Sequence, residues 1–192
     1  MRAEMGTLPE AWVMRLGHRP FRDRRVTTHL ALAARALGAG GMLIEGEVDR
    51  NVQESVNEIV AKWGGDFQLK FISDPEKTIK RWKKEGFVVH LTMYGLPFEN
   101  HLEPIRRREG DLLVVVGGKK VQGAMYSLAD LNLAVTNQPH SEISALALFL
   151  DRLYEGREIT TYHRKPRTVI VPSPAGKFVL VGPDRPRGRP EG

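Results

Sequence analysis

Residues 111–118 read DLLVVVGG, an unbroken run of leucine and valine that ends on two glycines. A strand with one solvated face alternates apolar and polar side chains, whereas this run is apolar at every position. Such a run is typical of a strand in the centre of a parallel sheet, covered by helices on both faces. It therefore predicts an α/β fold built on a parallel sheet.

Strand-like and helix-like stretches alternate on both sides of this run. The other predicted strands are 11–17, 42–44, 67–72, 87–95 and 131–137, and the predicted helices are 26–38, 53–65, 75–86, 121–130 and 143–153. Asp23 is placed to cap the first helix and Gly38 to end it. This alternation predicts a three-layer α/β sandwich.

The remaining residues predict a small addition to the main domain. Residues 167–183 have the pattern of a β-hairpin, and 184–192 are rich in proline, glycine and arginine. We therefore divide the chain into a main domain at 11–158, a hairpin extension at 159–183 and a disordered basic tail at 184–192.

The amino-acid composition limits the functions that the protein can have. The 192 residues include 29 Lys and Arg against 23 Asp and Glu, a net charge of +6 that favours a polyanionic partner such as nucleic acid. Cysteine is absent and the six histidines are scattered without metal-ligand spacing, so we expect no metal. Without a long apolar segment or signal peptide, we expect a cytoplasmic protein that has no membrane contact.

Three loops at strand ends are candidates for a ligand pocket. They are LTMYGL at 91–96, VGGKKV at 116–121 and TNQPHSE at 136–142. Loops beyond the carboxyl ends of neighbouring parallel strands converge, which predicts one shared pocket. The VGGKK stretch lacks the GxxxxGK[ST] spacing of a nucleotide-triphosphate loop.

A basic segment near the N-terminus is the second candidate site. Residues 15–29, RLGHRPFRDRRVTTH, contain five arginines and two histidines at a strand end and the start of a helix. A solvated charged turn is one interpretation. Amides and arginines at a helix N-terminus also favour phosphate, so we expect RNA or phosphate to bind here.

Four segments in this order resemble a known family. LGHRPFRDRRVTTH, HLTMYGL, LLVVVGGKKV and LADLNLAVTNQPHSEISALALFLDRL, spanning roughly residues 12–155, are similar to the archaeal tRNA cytidine-56 2′-O-methyltransferases of the SPOUT class. The resemblance implies a Rossmann-like domain with a C-terminal trefoil knot, which periodicity alone does not predict. It also implies a homodimer that uses S-adenosylmethionine and acts on the T-loop and elbow of tRNA.

The resemblance also implies functional residues. The cofactor contacts carried over are Leu91, Gly117, Gly118, Lys119, Lys120, Val121, Val135, Thr136, Asn137, Gln138, Pro139, His140, Ser141 and Glu142. Ser141 is further expected to cap the last helix. Removal of the proton is assigned to Arg22 first and Arg25 second, with His29 and His140 as alternative bases, because an arginine is charged near neutrality.

One segment departs from the wider 2′-O-methyltransferase branch. HSEIS stands where that branch has a Ser-Leu-Asn segment, which leaves the catalytic assignment open.

Two other functions also remain open. A methyltransferase of the same class could act on another tRNA or rRNA position. A non-catalytic RNA-binding protein could share the fold, and cofactor binding would separate it from an enzyme.

Overall fold

The computed structural model describes residues 8–117, 123–160, 163 and 165–182. Its strands are β1 (Ala11–Leu16), β2 (Gly41–Glu45), β3 (Gln68–Ile72), β4 (Phe87–Pro97), β5 (Leu112–Gly117), β6 (Leu131–Ala134), β7 (Thr168–Val171) and β8 (Phe178–Val181). Its α-helices are α1 (Pro20–Ala36), α2 (Arg50–Trp63), α3 (Pro75–Trp82), α4 (Leu102–Arg106), α5 (Gly123–Leu128) and α6 (Glu142–Tyr154). Two 3₁₀ helices follow β4 and α6, at Phe98–His101 and Arg157–Thr160.

The leucine and valine run forms the centre of the main sheet. Within the described residues six strands pair in parallel in the order β3-β2-β1-β5-β4-β6. On β5, Leu112, Val114 and Val116 belong to one hydrophobic core, and Leu113 and Val115 to another. The prediction of a strand covered on both faces is confirmed.

Helices cover both faces of this sheet and make three layers. One core takes its helical side chains from α1, α2, α4 and α6, with Leu30, Val56, Ile105 and Leu150 among the buried residues. The opposite core uses α3 and α5. The predicted three-layer α/β sandwich is therefore correct.

The start of α1 differs from the prediction. Asp23 was expected to be the N-cap, but α1 begins at Pro20, whose fixed φ suits the first helical turn. Asp23 lies in that first turn, where its carboxylate accepts hydrogen bonds from the backbone N–H of Arg19 (3.2 Å) and from Arg19 Nε (2.9 Å). The earlier start places Arg22 and Arg25 on the helix itself.

The C-terminal hairpin is present as predicted. β7 and β8 pair antiparallel from Thr168 opposite Val181 to Val171 opposite Phe178. The backbone N–H of Arg167 donates to the carbonyl of Lys62 on α2 (3.0 Å), which attaches the hairpin to the main domain. The predicted tail at 184–192 lies outside the described residues. None of the helices in the described part of the chain is long and apolar enough to cross a membrane.

Candidate functional site

The carboxyl ends of β4, β5 and β6 form the first part of the candidate site. Leu91 on β4 pairs with Val116 on β5 and with Leu133 on β6. The register on β6 then shifts, because Leu96 also faces Leu133. Residues 92–95 therefore form a bulge at the sheet edge. Leu91 itself is buried beneath it.

Asn137 joins the segment after β6 to this bulge. Its Nδ2 donates to the carbonyls of Met93 (2.6 Å) and Gly95 (3.2 Å). Gly95 also lies against β6 itself, since a Cβ at this position would lie 2.6 Å from the backbone carbonyl of Asn132. Two of the three predicted pocket loops are therefore in contact.

The third loop begins at Gly117, which pairs with Leu16 at the end of β1. The rest of the prediction for this loop, at Gly118, Lys119, Lys120 and Val121, lies outside the described residues.

The segment that leads into α6 is polar and open to solvent. Residues 136–141 are exposed, Val135 and Glu142 are half-buried, and the carbonyl of Gln138 lies 2.6 Å from His140 Nδ1. The Ser141 hydroxyl accepts a hydrogen bond from the backbone N–H of Ile143 (3.2 Å), so the predicted cap is confirmed. The segment can present backbone donors and acceptors to a ligand while its end is held by the helix.

Arg15 was expected to bind RNA or phosphate as part of the basic segment 15–29, but it is buried and pairs with a carboxylate of the candidate site, a role that the sequence analysis did not predict. Its guanidinium Nη1 contacts the Oε1 carboxylate oxygen of Glu142, and the two side chains are 3% and 16% exposed. The pair joins the end of β1 to the first turn of α6. A charged residue inside the otherwise apolar strand AWVMRL was the signal that could have pointed to it.

A buried network fixes the two helices that follow β1 and β2. His18 Nδ1 lies 2.8 Å from the hydroxyl of Thr27 on α1, and Nε2 lies 3.5 Å from the carboxylate of Asp49. Asp49 caps α2 by accepting from the backbone N–H groups of Asn51 and Val52, and it also accepts from Arg24 Nε (3.2 Å).

Protonation in this network follows from burial and charge. Burial, followed by the positive charge of Arg15, lowers the pKa of His18. Burial alone would raise the pKa of Asp49, but the hydrogen bonds from Arg24 and from the α2 N-terminus hold that pKa below its ordinary value. His18 is thus neutral and Asp49 ionised near neutral pH.

The predicted catalytic residues lie together on the exposed side of α1. Arg22, Arg25 and His29 line an open cavity of about 400 Å³ with Phe21, Arg24, Thr28 and Ser55. Asp49 binds Arg24, whereas Arg22 Nε is 3.9 Å from Asp23. Among the described residues no carboxylate lies within 4.0 Å of the Arg25 side-chain nitrogens.

In the structure the predicted site residues form two separate clusters, one on α1 and one at the carboxyl ends of β4 and β6. No hydrogen bond or ion pair between described residues joins Arg22, Arg25 or His29 to residues 135–142. The two clusters are connected through β1. Arg15 on this strand contacts Glu142, and it lies seven positions before Arg22 in the sequence. The described residues contain no group of three or more His, Cys, Asp or Glu side chains that could hold a metal ion.

The sequence matches a family model over much of this structure. Residues 63–180 match the family described as tRNA ribose 2′-O-methyltransferase, aTrm56. The chain belongs to this family. The family resemblance predicted from the four sequence segments is confirmed, and the aTrm56 match includes β4, β5, β6 and α6 with the site they form.

Curated relatives of this aTrm56 chain are similar over nearly their whole length. The tRNA (cytidine(56)-2′-O)-methyltransferase of Methanopyrus kandleri is 49% identical over 172 residues, which cover 89% of this chain and 96% of that protein. The enzyme of the same name from Thermococcus kodakarensis is 47% identical, covering 88% and 95%.

Solved structures share the fold at low identity. The SpoU methyltransferase AviRb from Streptomyces viridochromogenes, in complex with AdoMet, aligns with a TM-score of 0.56 and 14% identity over 79% of this chain and 58% of that protein. The A. aeolicus TrmH/SpoU tRNA modifying enzyme aligns with a TM-score of 0.53 and 10% identity, covering 78% and 75%. The aTrm56 chain therefore has the fold of SPOUT methyltransferases.

Proposed function

We propose that this chain transfers a methyl group from S-adenosylmethionine to the ribose 2′-hydroxyl of cytidine 56 in tRNA. The observation that carries this is the 49% identity to a tRNA (cytidine(56)-2′-O)-methyltransferase over 96% of that protein's length. The family description adds the reaction type, and the basic surface of α1 suits an RNA substrate.

The residues at the sheet edge fit the cofactor chemically. Leu91 and Val135 offer apolar side chains, and the exposed residues 136–141 offer backbone donors and acceptors, the combination that a nucleoside site requires. The proposed contacts are Leu91, Gly117, Gly118, Lys119, Lys120, Val121 and residues 135–142. The solved AviRb structure holds AdoMet, which supports the same ligand for this fold.

The chain's own residues then have to orient the ribose 2′-hydroxyl and remove its proton. When bound, S-adenosylmethionine supplies a methyl group that its sulfonium has already activated. The protein must hold the 2′-oxygen in line with that methyl group and accept the hydroxyl proton. We assign the alignment of the 2′-oxygen to Arg22, with Arg25 second. Because a guanidinium is already protonated near neutral pH, the proton passes to a neighbouring tRNA phosphate beside the arginine, and His29 and His140 are the alternative proton acceptors.

A homodimer would bring the two clusters into one site. Within one chain no described hydrogen bond or ion pair connects the α1 arginines to residues 135–142. An arginine from a second copy of the chain could complete the cofactor site, in agreement with the homodimer that the resemblance implies. Sedimentation at micromolar concentration tests this, and a stable monomer with full activity would contradict it.

The knot and the division of the chain are also proposals. The main domain comprises residues 11–158, and we place a trefoil knot in its C-terminal part. The knot is what the resemblance to the SPOUT class implies, and the fold shared with the SpoU methyltransferase AviRb supports it. We propose the hairpin at 159–183 as an extension, the tail at 184–192 as a separate segment, and a cytoplasmic location with the tRNA substrate.

The reaction can be tested on an unmodified tRNA transcript. Labelled methyl from S-adenosylmethionine should enter the RNA without added metal. A matched tRNA with 2′-deoxycytidine at position 56 lacks only the acceptor oxygen and should remain unlabelled. Equal labelling of both RNAs would place the methyl group elsewhere, and cofactor binding without labelling of any RNA would favour a non-catalytic RNA-binding protein.

A further inference from the structure

Phe21 is an exposed aromatic ring inside the basic surface of α1. It is 99% exposed, although phenylalanine is among the residues most often buried in proteins. Its neighbours along the helix face at spacings of four, seven and eight are Arg25, Thr28 and His29, and all of them line the same open cavity. Packing against the described residues does not account for the ring.

The arginines around Phe21 divide into bound and available ones. Arg24 is held by Asp49 and Arg19 by Asp23, with N–O distances of 3.2 and 2.9 Å. Arg22 approaches a carboxylate only to 3.9 Å, and none of the ion pairs in the described part of the chain includes Arg25. Two guanidinium groups beside the ring are therefore available to bind an anion.

A ring beside available guanidinium groups suits a nucleotide. A nucleobase offers a flat face that stacks on an aromatic side chain, and its phosphate accepts hydrogen bonds from arginine. Contact of this patch with the same patch of a second copy suits the surface less well, because the arginines of the two copies would then face each other and like charges repel.

We propose that Phe21 is a stacking platform for an unstacked base of the tRNA, with Arg25 binding an adjacent phosphate. This inference rests on the proposed function, because it takes the α1 surface as the RNA-binding face. It identifies Phe21 as a residue that binds substrate and not as one that takes part in the chemistry.

Substitutions at Phe21 separate stacking from simple apolar contact. Phe21→Leu keeps apolar volume but removes the aromatic face, whereas Phe21→Trp keeps that face. Binding of unmodified tRNA should weaken about tenfold or more in Phe21→Leu. Phe21→Trp should bind like the original protein. Phe178→Leu, at another exposed ring, serves as the control and should leave tRNA affinity unchanged.

Abasic substitutions in a T-arm hairpin RNA locate the stacked base. At the correct position the loss of affinity caused by Phe21→Leu should disappear, because the base that stacks is already missing. If Phe21→Leu binds every RNA as the original protein does, the proposal is wrong. A change in sedimentation with unchanged RNA affinity would instead assign the surface to a second copy of the chain.

The arginine variants keep this test distinct from the test of the proposed function. If Arg22→Ala and Arg25→Ala weaken RNA binding and Phe21→Leu does not, the stacking proposal fails and the RNA-binding face stands. If all three variants retain affinity and methyl transfer, α1 is not the RNA-binding face and both proposals for α1 fail.

Discussion

The guanidinium of Arg15 contacts the carboxylate of Glu142, and this pair fastens the end of β1 to the first turn of α6. Glu142 also lies near the helix N-terminus, where a negative charge is favoured. Because residues 135–142 are the proposed cofactor segment, Arg15 positions that segment from beneath without being exposed itself.

Arg15→Ala should lower both stability and cofactor affinity. The substitution leaves the carboxylate of Glu142 partly buried without its partner, which costs about 3 kcal/mol of unfolding free energy. Denaturant unfolding and calorimetric titration with S-adenosylmethionine measure the two effects. The double variant Arg15→Ala with Glu142→Gln should lose less stability than the sum of the losses of its two single variants, and purely additive losses would show that the two side chains do not interact.

Stability should fall as the pH decreases below about 6.5, the ordinary pKa of histidine. Burial lowers the pKa of His18 in the folded protein. As the pH falls below 6.5, the histidine is therefore protonated in the unfolded chain before it is protonated in the folded protein, and this protonation stabilises the unfolded state. His18→Gln should reduce this slope, which is at most about 1.4 kcal/mol per pH unit for one group.

The slope should not vanish in His18→Gln, since burial also lowers the pKa of His90 and of His163. Urea titrations at several pH values provide the measurement. An unchanged slope in His18→Gln would mean that His18 does not titrate differently in the folded and unfolded states.

Arg22→Ala should reduce methyl transfer by about 100-fold or more while the cofactor still binds. The side chain is exposed on α1, so its loss should leave the fold intact. Arg107→Ala removes an exposed arginine from the end of α4 and is the matched control. Single-turnover rates and calorimetry give the two quantities. Lost cofactor affinity in folded Arg22→Ala would move Arg22 from the reaction to the cofactor site.

Asn137→Ala should weaken S-adenosylmethionine binding about tenfold. It removes two hydrogen bonds, to the carbonyls of Met93 and Gly95, each worth about 1 kcal/mol. Asn57→Ala, an exposed amide on α2, is the control. Equal affinities in both variants would remove the link between the two loops from the cofactor site.

The strands were predictable because their signal is local. The run Leu112 to Val116 is apolar at every position, and it forms the central strand with both faces covered. The start of α1 was harder, because Asp23 and Pro20 are both good helix-start residues three positions apart. The proline at the first helical position proved the correct signal.

The site was only partly predictable, since its contacts are distant in sequence. Arg15 and Glu142 are 127 residues apart, and Asn137 reaches carbonyls 42 and 44 residues away. The network of His18, Thr27 and Asp49 likewise depends on how β1, α1 and α2 pack together. Periodicity places each of these residues on an element, but it does not indicate which elements meet.

The most direct measurement is the position of the methyl group on the RNA. An unmodified tRNA transcript treated with the protein and S-adenosylmethionine is copied by reverse transcriptase at limiting nucleotide, where a ribose 2′-O-methyl group arrests the enzyme. We predict an arrest at cytidine 56 that is absent without the cofactor and absent in a transcript with another base at 56. An arrest at a different nucleotide, with none at 56, would contradict the proposed function.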